Sequence, residues 1–102
     1  LEMAVEHYYR GLALNPHQMS ARYNLGVILV DLQRWQEGLE QLMQVVEERP
    51  DHGEAHNSLG VAHIHLQNLE QATWHFERAI ALKPGFERAR NNLKALRQQL
   101  DS

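Results

Sequence analysis

Three prolines punctuate this chain at a single interval: Pro16, Pro50 and Pro84 lie 34 residues apart. Gly26 and Gly60 keep the same interval of 34. Proline blocks helix continuation and glycine lets two backbones approach closely, so stop points and contact points repeat together. A fixed period between roughly 20 and 50 residues marks a stacked array, in which each unit buries its apolar face against the next. Arrays of this kind expose a long surface, so the period points to recognition rather than catalysis.

Between the prolines, apolar residues recur at helical spacing. Ala21, Leu25, Ile28, Leu29 and Leu32 fall on one stripe, and Trp35, Leu39, Leu42, Val45 and Val46 form another that stops before Pro50. One interval later come Ala55, Leu59, Ala62 and Leu66, then Leu69, Ala72, Phe76, Ala79 and Ile80, which stop before Pro84. Links of two or three residues around Arg34 and Asn68 permit only antiparallel helical hairpins. The pattern predicts six helices, at about 2–14, 19–32, 35–48, 53–66, 69–82 and 87–99. Residues 1–18 then hold the second helix of a partial repeat, 19–52 and 53–86 are complete repeats, and 87–102 form a capping helix. In that last helix Lys94 takes the place of Gly26 and Gly60, and Arg97 that of Leu29 and His63. A long cation in the tight-packing slot gives the array a polar end.

Composition narrows the class further. With 102 residues, 43% hydrophobic and 23% charged, this is one small domain of ordinary globular composition with a modest core, or a piece of a larger array. A net charge of −3 argues against general nucleic-acid affinity. No apolar run approaches the roughly 18 residues of a membrane span, and no basic-then-apolar leader opens the sequence, so membrane insertion is not expected. The absence of cysteine removes disulfides and thiolate ligands but does not set the compartment; a cytoplasmic one is favoured. Charge is uneven: residues 31–54 carry −5 and residues 78–97 carry +5. Both runs read as solvated helix faces.

Asn24-Leu25-Gly26 with Trp35, Gly38, Leu42, Val45 and Pro50, and then Ser58-Leu59-Gly60 with Leu69, Ala72, Phe76, Ala79 and Pro84, resemble the tetratricopeptide repeat. The likeness covers nearly the whole chain. Two departures stand out. Arg22, His56 and Arg90 occupy a slot often aromatic, and Gly38 replaces the usual alanine, which should soften its helix by roughly 0.5–1 kcal/mol. The resemblance implies an all-α, right-handed solenoid of about two and a half repeats, a protein-interaction module with no enzymatic activity.

It also implies a concave groove lined by the first helix of each repeat. The groove residues would be Tyr23, Asn24, Val27 and Val30, then Asn57, Ser58, Val61 and Ile64, with Arg88, Asn91 and Asn92 from the cap. Valines on the floor and asparagines along a rail suit an extended peptide or an amphipathic helix, since asparagine both donates and accepts. Equally, Val27 and Val61 could be packing against the neighbouring repeat. The family's two-carboxylate clamp for acidic chaperone tails is not expected. Its lysine and asparagine slots hold Tyr23 and Val27, its arginine slot holds Asn92, and Arg88 alone cannot replace several donors.

Seven histidines raise the question of a metal. His52, His56 and His63 share helical spacing, but His52 falls in the turn after Pro50 and no cysteine or convergent acid joins them, so no metal is expected. His63 reads as a packed amphipathic side chain, and His63 or His75, if half-buried, would confer pH sensitivity. No phosphate loop or activated nucleophile is present, and no cofactor is expected. The opening helix carries Leu1, Ala4, Val5, Tyr8 and Leu12 without the preceding helix of its own hairpin, which predicts a homodimer through that apolar face. The alternatives to a binding module are therefore a self-assembling structural unit or the recognition arm of a larger enzyme.

Overall fold

The computed structural model describes residues 1–101. Six helices run in order: α1 (Glu2–Leu14), α2 (Met19–Asp31), α3 (Trp35–Glu48), α4 (Gly53–His65), α5 (Leu69–Leu82) and α6 (Glu87–Leu100). They agree with the expected boundaries to within a residue, because the local signals that end each helix are strong.

Two kinds of turn alternate. Before each proline, Asn15, Arg49 and Lys83 leave the helical region, with φ of −142°, −128° and −136°. A following proline ring clashes with a helical predecessor, so the residue before it is pushed extended. Each proline then sits second in a turn closed from Gln18, His52 or Phe86 to the carbonyl three residues back. Within each hairpin the closure differs. Gln33 and Gln67 adopt φ of 64° and 66°, the left-handed conformation. Their amides bond Val30 and Ile64, while the next amides, Arg34 and Asn68, bond Leu29 and His63. This is the Schellman closure of a helix end, made with glutamine where glycine is usual.

The hairpins stack into an elongated body of 45 × 24 × 19 Å. Helices α2, α4 and α6 touch in sequence along the inside, whereas the backbones of α1, α3 and α5 stay apart. Three apolar clusters fill the layers: Val5, Leu12, Leu25 and Leu29; Val30, Leu42, Val45, Ala55, Leu59 and Ala62; and Ala72, Phe76, Leu93 and Leu96. Burying each large side chain contributes on the order of 2 kcal/mol.

Glycine governs how closely the helices approach. A Cβ on Gly26 would lie 2.6 Å from Leu42 Cγ, and one on Gly60 would lie 2.5 Å from the Phe76 ring. Gly38 turns out to be part of the same contact. A Cβ there would meet Val30 Cγ2 at 2.8 Å and the Gly26 carbonyl at 3.1 Å. The propensity cost expected at Gly38 is thus set against a close α2–α3 crossing that alanine would crowd.

Helix α1 is held by more than its apolar face. Arg34 bridges Glu2 at 2.7 Å and Glu37 at 2.8 Å, and Tyr9 donates to Glu37 at 3.2 Å. Val5 and Leu12, expected on an exposed association face, are 4% and 6% exposed and pack on α2. The structure corrects that expectation. A helix with one neighbour still turns its best apolar stripe toward it, and only Leu1, Ala4 and Tyr8 of the five remain partly or fully open.

Candidate functional site: the concave face

The inner helices bring three groups of side chains onto one face. From α2 comes Tyr23, half-buried, its ring 4.6 Å from that of His52. Burial pushes its phenol upward, Glu54 adds to this, and Arg88 and Ser58 oppose it. Residues of α2, α4 and α6 therefore share one electrostatic neighbourhood. From α4, Asn57 is 4% exposed and accepts a hydrogen bond at 3.1 Å from Asn92 Nδ2 of α6. Glu54 meets Lys83 at 3.3 Å, and Lys83 and Arg88 lie 5.0 and 6.0 Å from the Phe86 ring.

The eleven residues expected to line a groove divide by burial. Asn24, Arg88 and Asn91 are exposed, and Tyr23, Val27, Ser58, Val61, Ile64 and Asn92 are intermediate. Val30 and Asn57 are not accessible as floor and rail. Val30 is 7% exposed and fills the core beside Gly38, and Asn57 is occupied by Asn92. Val61 packs against two clusters at once, so it serves the interior as well as the face.

Sequence reasoning missed a repeated polar clamp. At the slot where aromatics were expected, Arg22 Nη2 donates to the Pro16 carbonyl at 2.8 Å, His56 Nε2 bonds the Pro50 carbonyl at 2.9 Å, and Arg90 Nε donates to the Pro84 carbonyl at 2.6 Å. Three N–H donors exactly one repeat apart were the available signal. In the two complete repeats the same residue also reaches the second helix. Arg22 Nη1 donates to Gln41 at 2.6 Å, and His56 Nδ1 lies 3.0 Å from His75 Nδ1.

The second of these clamps sets a tautomer. A carbonyl only accepts, so His56 carries its proton on Nε2, its Nδ1 is a bare acceptor, and His75 Nδ1–H donates. His63 stacks on His75 with centroids 5.3 Å apart and planes 11° apart. Burial pulls His75 down to about 4, with His56 and His63 adding to the effect. Burial also lowers His56, helped by Arg78 and His52 and opposed by its bond to Pro50, and it lowers His63. Neutral imidazoles are what this cluster holds. Among the described residues no three histidines or carboxylates are arranged to hold a metal ion. No described helix is long and apolar enough to cross a membrane.

At the far end α5 and α6 leave a groove of about 530 Å³, where Ile80, Ala81 and Leu93 alternate with Lys94 and Arg97. That end is mixed rather than uniformly basic, since Arg97 is paired with Glu77 at 3.1 Å.

The arrangement matches known proteins throughout. The profile described as tetratricopeptide repeat matches residues 2–45 and 28–85. Among solved structures, MamA 41-end from Desulfovibrio magneticus RS-1 is 25% identical and superposes with a TM-score of 0.94, covering 98% of this chain and 56% of that one. YrrB, described as a TPR protein with an unusual peptide-binding site, is 28% identical with a TM-score of 0.85, over 91% of this chain and 48% of its own. The first TPR of Spaghetti (RPAP3), bound to an HSP90 peptide, is 24% identical with a TM-score of 0.91, over 96% and 78%. The chain thus spans about half the length of the MamA and YrrB structures. No curated protein sequence matches it. With the 34-residue period, the paired helices and the profile match in agreement over residues 2–85, the chain belongs to the tetratricopeptide repeat family.

Proposed function

We propose that this chain is a protein-interaction module that takes an extended peptide or amphipathic helix of a partner protein on the face made by α2, α4 and α6. It acts by binding, not by catalysis. The observation that carries the reading is the convergence of Tyr23, Ser58 and Arg88 from three successive inner helices, with half-exposed Val27, Val61 and Ile64 beside them. Apolar ground flanked by polar groups of both senses suits a partner that presents backbone and side chains together. YrrB, a similar protein by fold and sequence, is itself described as having a peptide-binding site. The reading is tested by Val27→Glu with Val61→Glu, and separately by Asn24→Ala with Asn92→Ala. Capture of the partner is lost in both while helical circular dichroism is retained. Capture that survives both pairs of substitutions ends the reading.

A second reading, self-association through α1, has one observation in its favour. The face that is fully buried in α3 (Leu42, Val45) and α5 (Ala72, Phe76, Ala79) corresponds in α1 to Ala4, Tyr8 and Gly11, which are half-buried or exposed. Tyr8→Glu then converts a dimer to a folded monomer. Val5→Glu is unsuitable for this test, because Val5 is in the core. A wild-type chain that sediments as a monomer at about 100 µM excludes the dimer.

A further inference from the structure

The outer helices carry a second surface with a chemistry of its own. Because α3 and α5 do not approach each other, a cleft of about 390 Å³ opens between them on the convex side. Met43 and Val46 form one wall, Trp74 and Arg78 the other, and the His56–His75 pair lies at the bottom. Trp74 is 56% exposed and Met43 37%, and they are the two large exposed apolar side chains carried by the complete hairpins rather than by α1 or α6. Edge contacts hold the indole in place, 4.9 Å from His75 and 5.9 Å from His56. Among the described residues no acid lines the cleft, and Arg78 has no carboxylate partner.

Internal comparison shows that the fold does not require this surface. One repeat earlier, Met43, Trp74, His75 and Arg78 correspond to Tyr9, Glu40, Gln41 and Gln44. The hollow there that shares the equivalent positions Pro16, Arg22 and Gln44 is about 170 Å³ and also takes in His17, Met19, Glu47 and Glu48. The same scaffold thus carries a smaller hollow of mixed charge, with two glutamates, at one junction and an apolar one without carboxylates at the next. An exposed, oriented tryptophan beside an adaptable methionine has the character of an interface anchor.

We infer that this convex cleft is a second binding site, for a peptide segment that places a large apolar side chain next to a carboxylate. The apolar group sits between Met43 and Trp74, and the carboxylate pairs with Arg78, the one permanently charged group lining the cleft among the described residues. The site is independent of the concave face.

The probe is a blocked pentapeptide with phenylalanine between two aspartates, titrated into the ¹⁵N-labelled chain. The two tryptophans provide signal and control, since Trp35 is stacked on His65 at 3.9 Å away from the cleft. The indole N–H resonance of Trp74 moves saturably and that of Trp35 does not. Trp74→Ala and Arg78→Glu, both at exposed positions, each weaken binding by about fivefold or more, and so does exchanging the aspartates for lysine. Asn24→Ala with Asn91→Ala, both exposed positions on the inner helices, leaves it unchanged. The inference is overturned if Trp74 does not respond, if the lysine peptide binds equally well, or if the Asn24→Ala, Asn91→Ala pair rather than Arg78→Glu removes the response. The last outcome would move the ligand to the concave face, whereas failure at Trp74 alone leaves the concave reading intact.

Discussion

The clamp that closes the first complete repeat and the clamp that closes the second occupy the same slots with different chemistry. In α2–α3, Arg22 bonds the Pro16 carbonyl and Gln41; in α4–α5, His56 bonds the Pro50 carbonyl and His75. What the repeat preserves is an inner-helix side chain that donates to the turn carbonyl and is also hydrogen-bonded to the outer helix, not a residue type. The two solutions carry different liabilities. Arg22 is 8% exposed and bonds two neutral acceptors, and its Nε has no hydrogen-bond partner among the described residues. The histidine pair keeps no charge, but its bond holds only while His56 Nδ1 is bare, because a proton on that nitrogen turns two Nδ1–H donors toward each other. The second clamp is built from two imidazoles and the first from none.

The largest difference between the two should come from the glycine contacts. Gly26 faces Leu42, a flexible branched chain, and Gly60 faces the ring of Phe76, which has no exposed surface and few rotamers. Gly60→Leu should cost about 3 kcal/mol or more, and Gly26→Leu should cost less, about 1–3 kcal/mol, measured by urea unfolding. Equal costs would show that the outer-helix residue does not set the tolerance.

Next comes pH. His75 is lowered from 6.5 to about 4 in the folded chain, so between those values the unfolded chain binds the extra proton and stability rises with pH. Going from pH 7 to pH 4 should remove on the order of 3 kcal/mol through this group, with the lowered His56 and His63 acting in the same direction. Replacing His56→Arg and His75→Gln together copies the first clamp into the second. Thermal or urea melts of that double variant should have a flatter pH profile between 4 and 6.5 than wild type. An unchanged profile would place the sensitivity elsewhere.

The reverse probe is smaller. Arg22→Met removes the donor and leaves the Pro16 carbonyl and Gln41 without it, at a cost of about 1–3 kcal/mol that does not vary from pH 5 to pH 8. A cost that changed with pH over that range would mean that the first junction titrates too.

The smallest effect treats the two repeats alike. Gln33 and Gln67 hold φ of 64° and 66°, where a Cβ is strained. Gln33→Gly and Gln67→Gly should each raise stability by up to about 1 kcal/mol, and the double substitution should be additive. Unequal gains would distinguish hairpin turns that the backbone geometry makes look the same.

What could be read without the fold was whatever acts within a turn or two of chain. Proline excludes helix from its predecessor, a short link forces a hairpin, and a 3.6-residue stripe marks the buried face; hence six helices and a 34-residue unit were legible in residues such as Pro50, Gly60 and Leu59. Side-chain pairings between helices were not. Asn92 and Asn57 are 35 positions apart and His56 and His75 are 19 apart, and whether each pair meets depends on how closely the helices pack and on which rotamer the neighbours leave open. The same holds for Val30, Val5 and Leu12, whose stripe positions allow either surface or core until a second helix arrives. The cleft at Trp74 is further still from the local pattern. It exists because outer helices on a curved stack diverge, and curvature belongs to the assembled repeats rather than to any one of them.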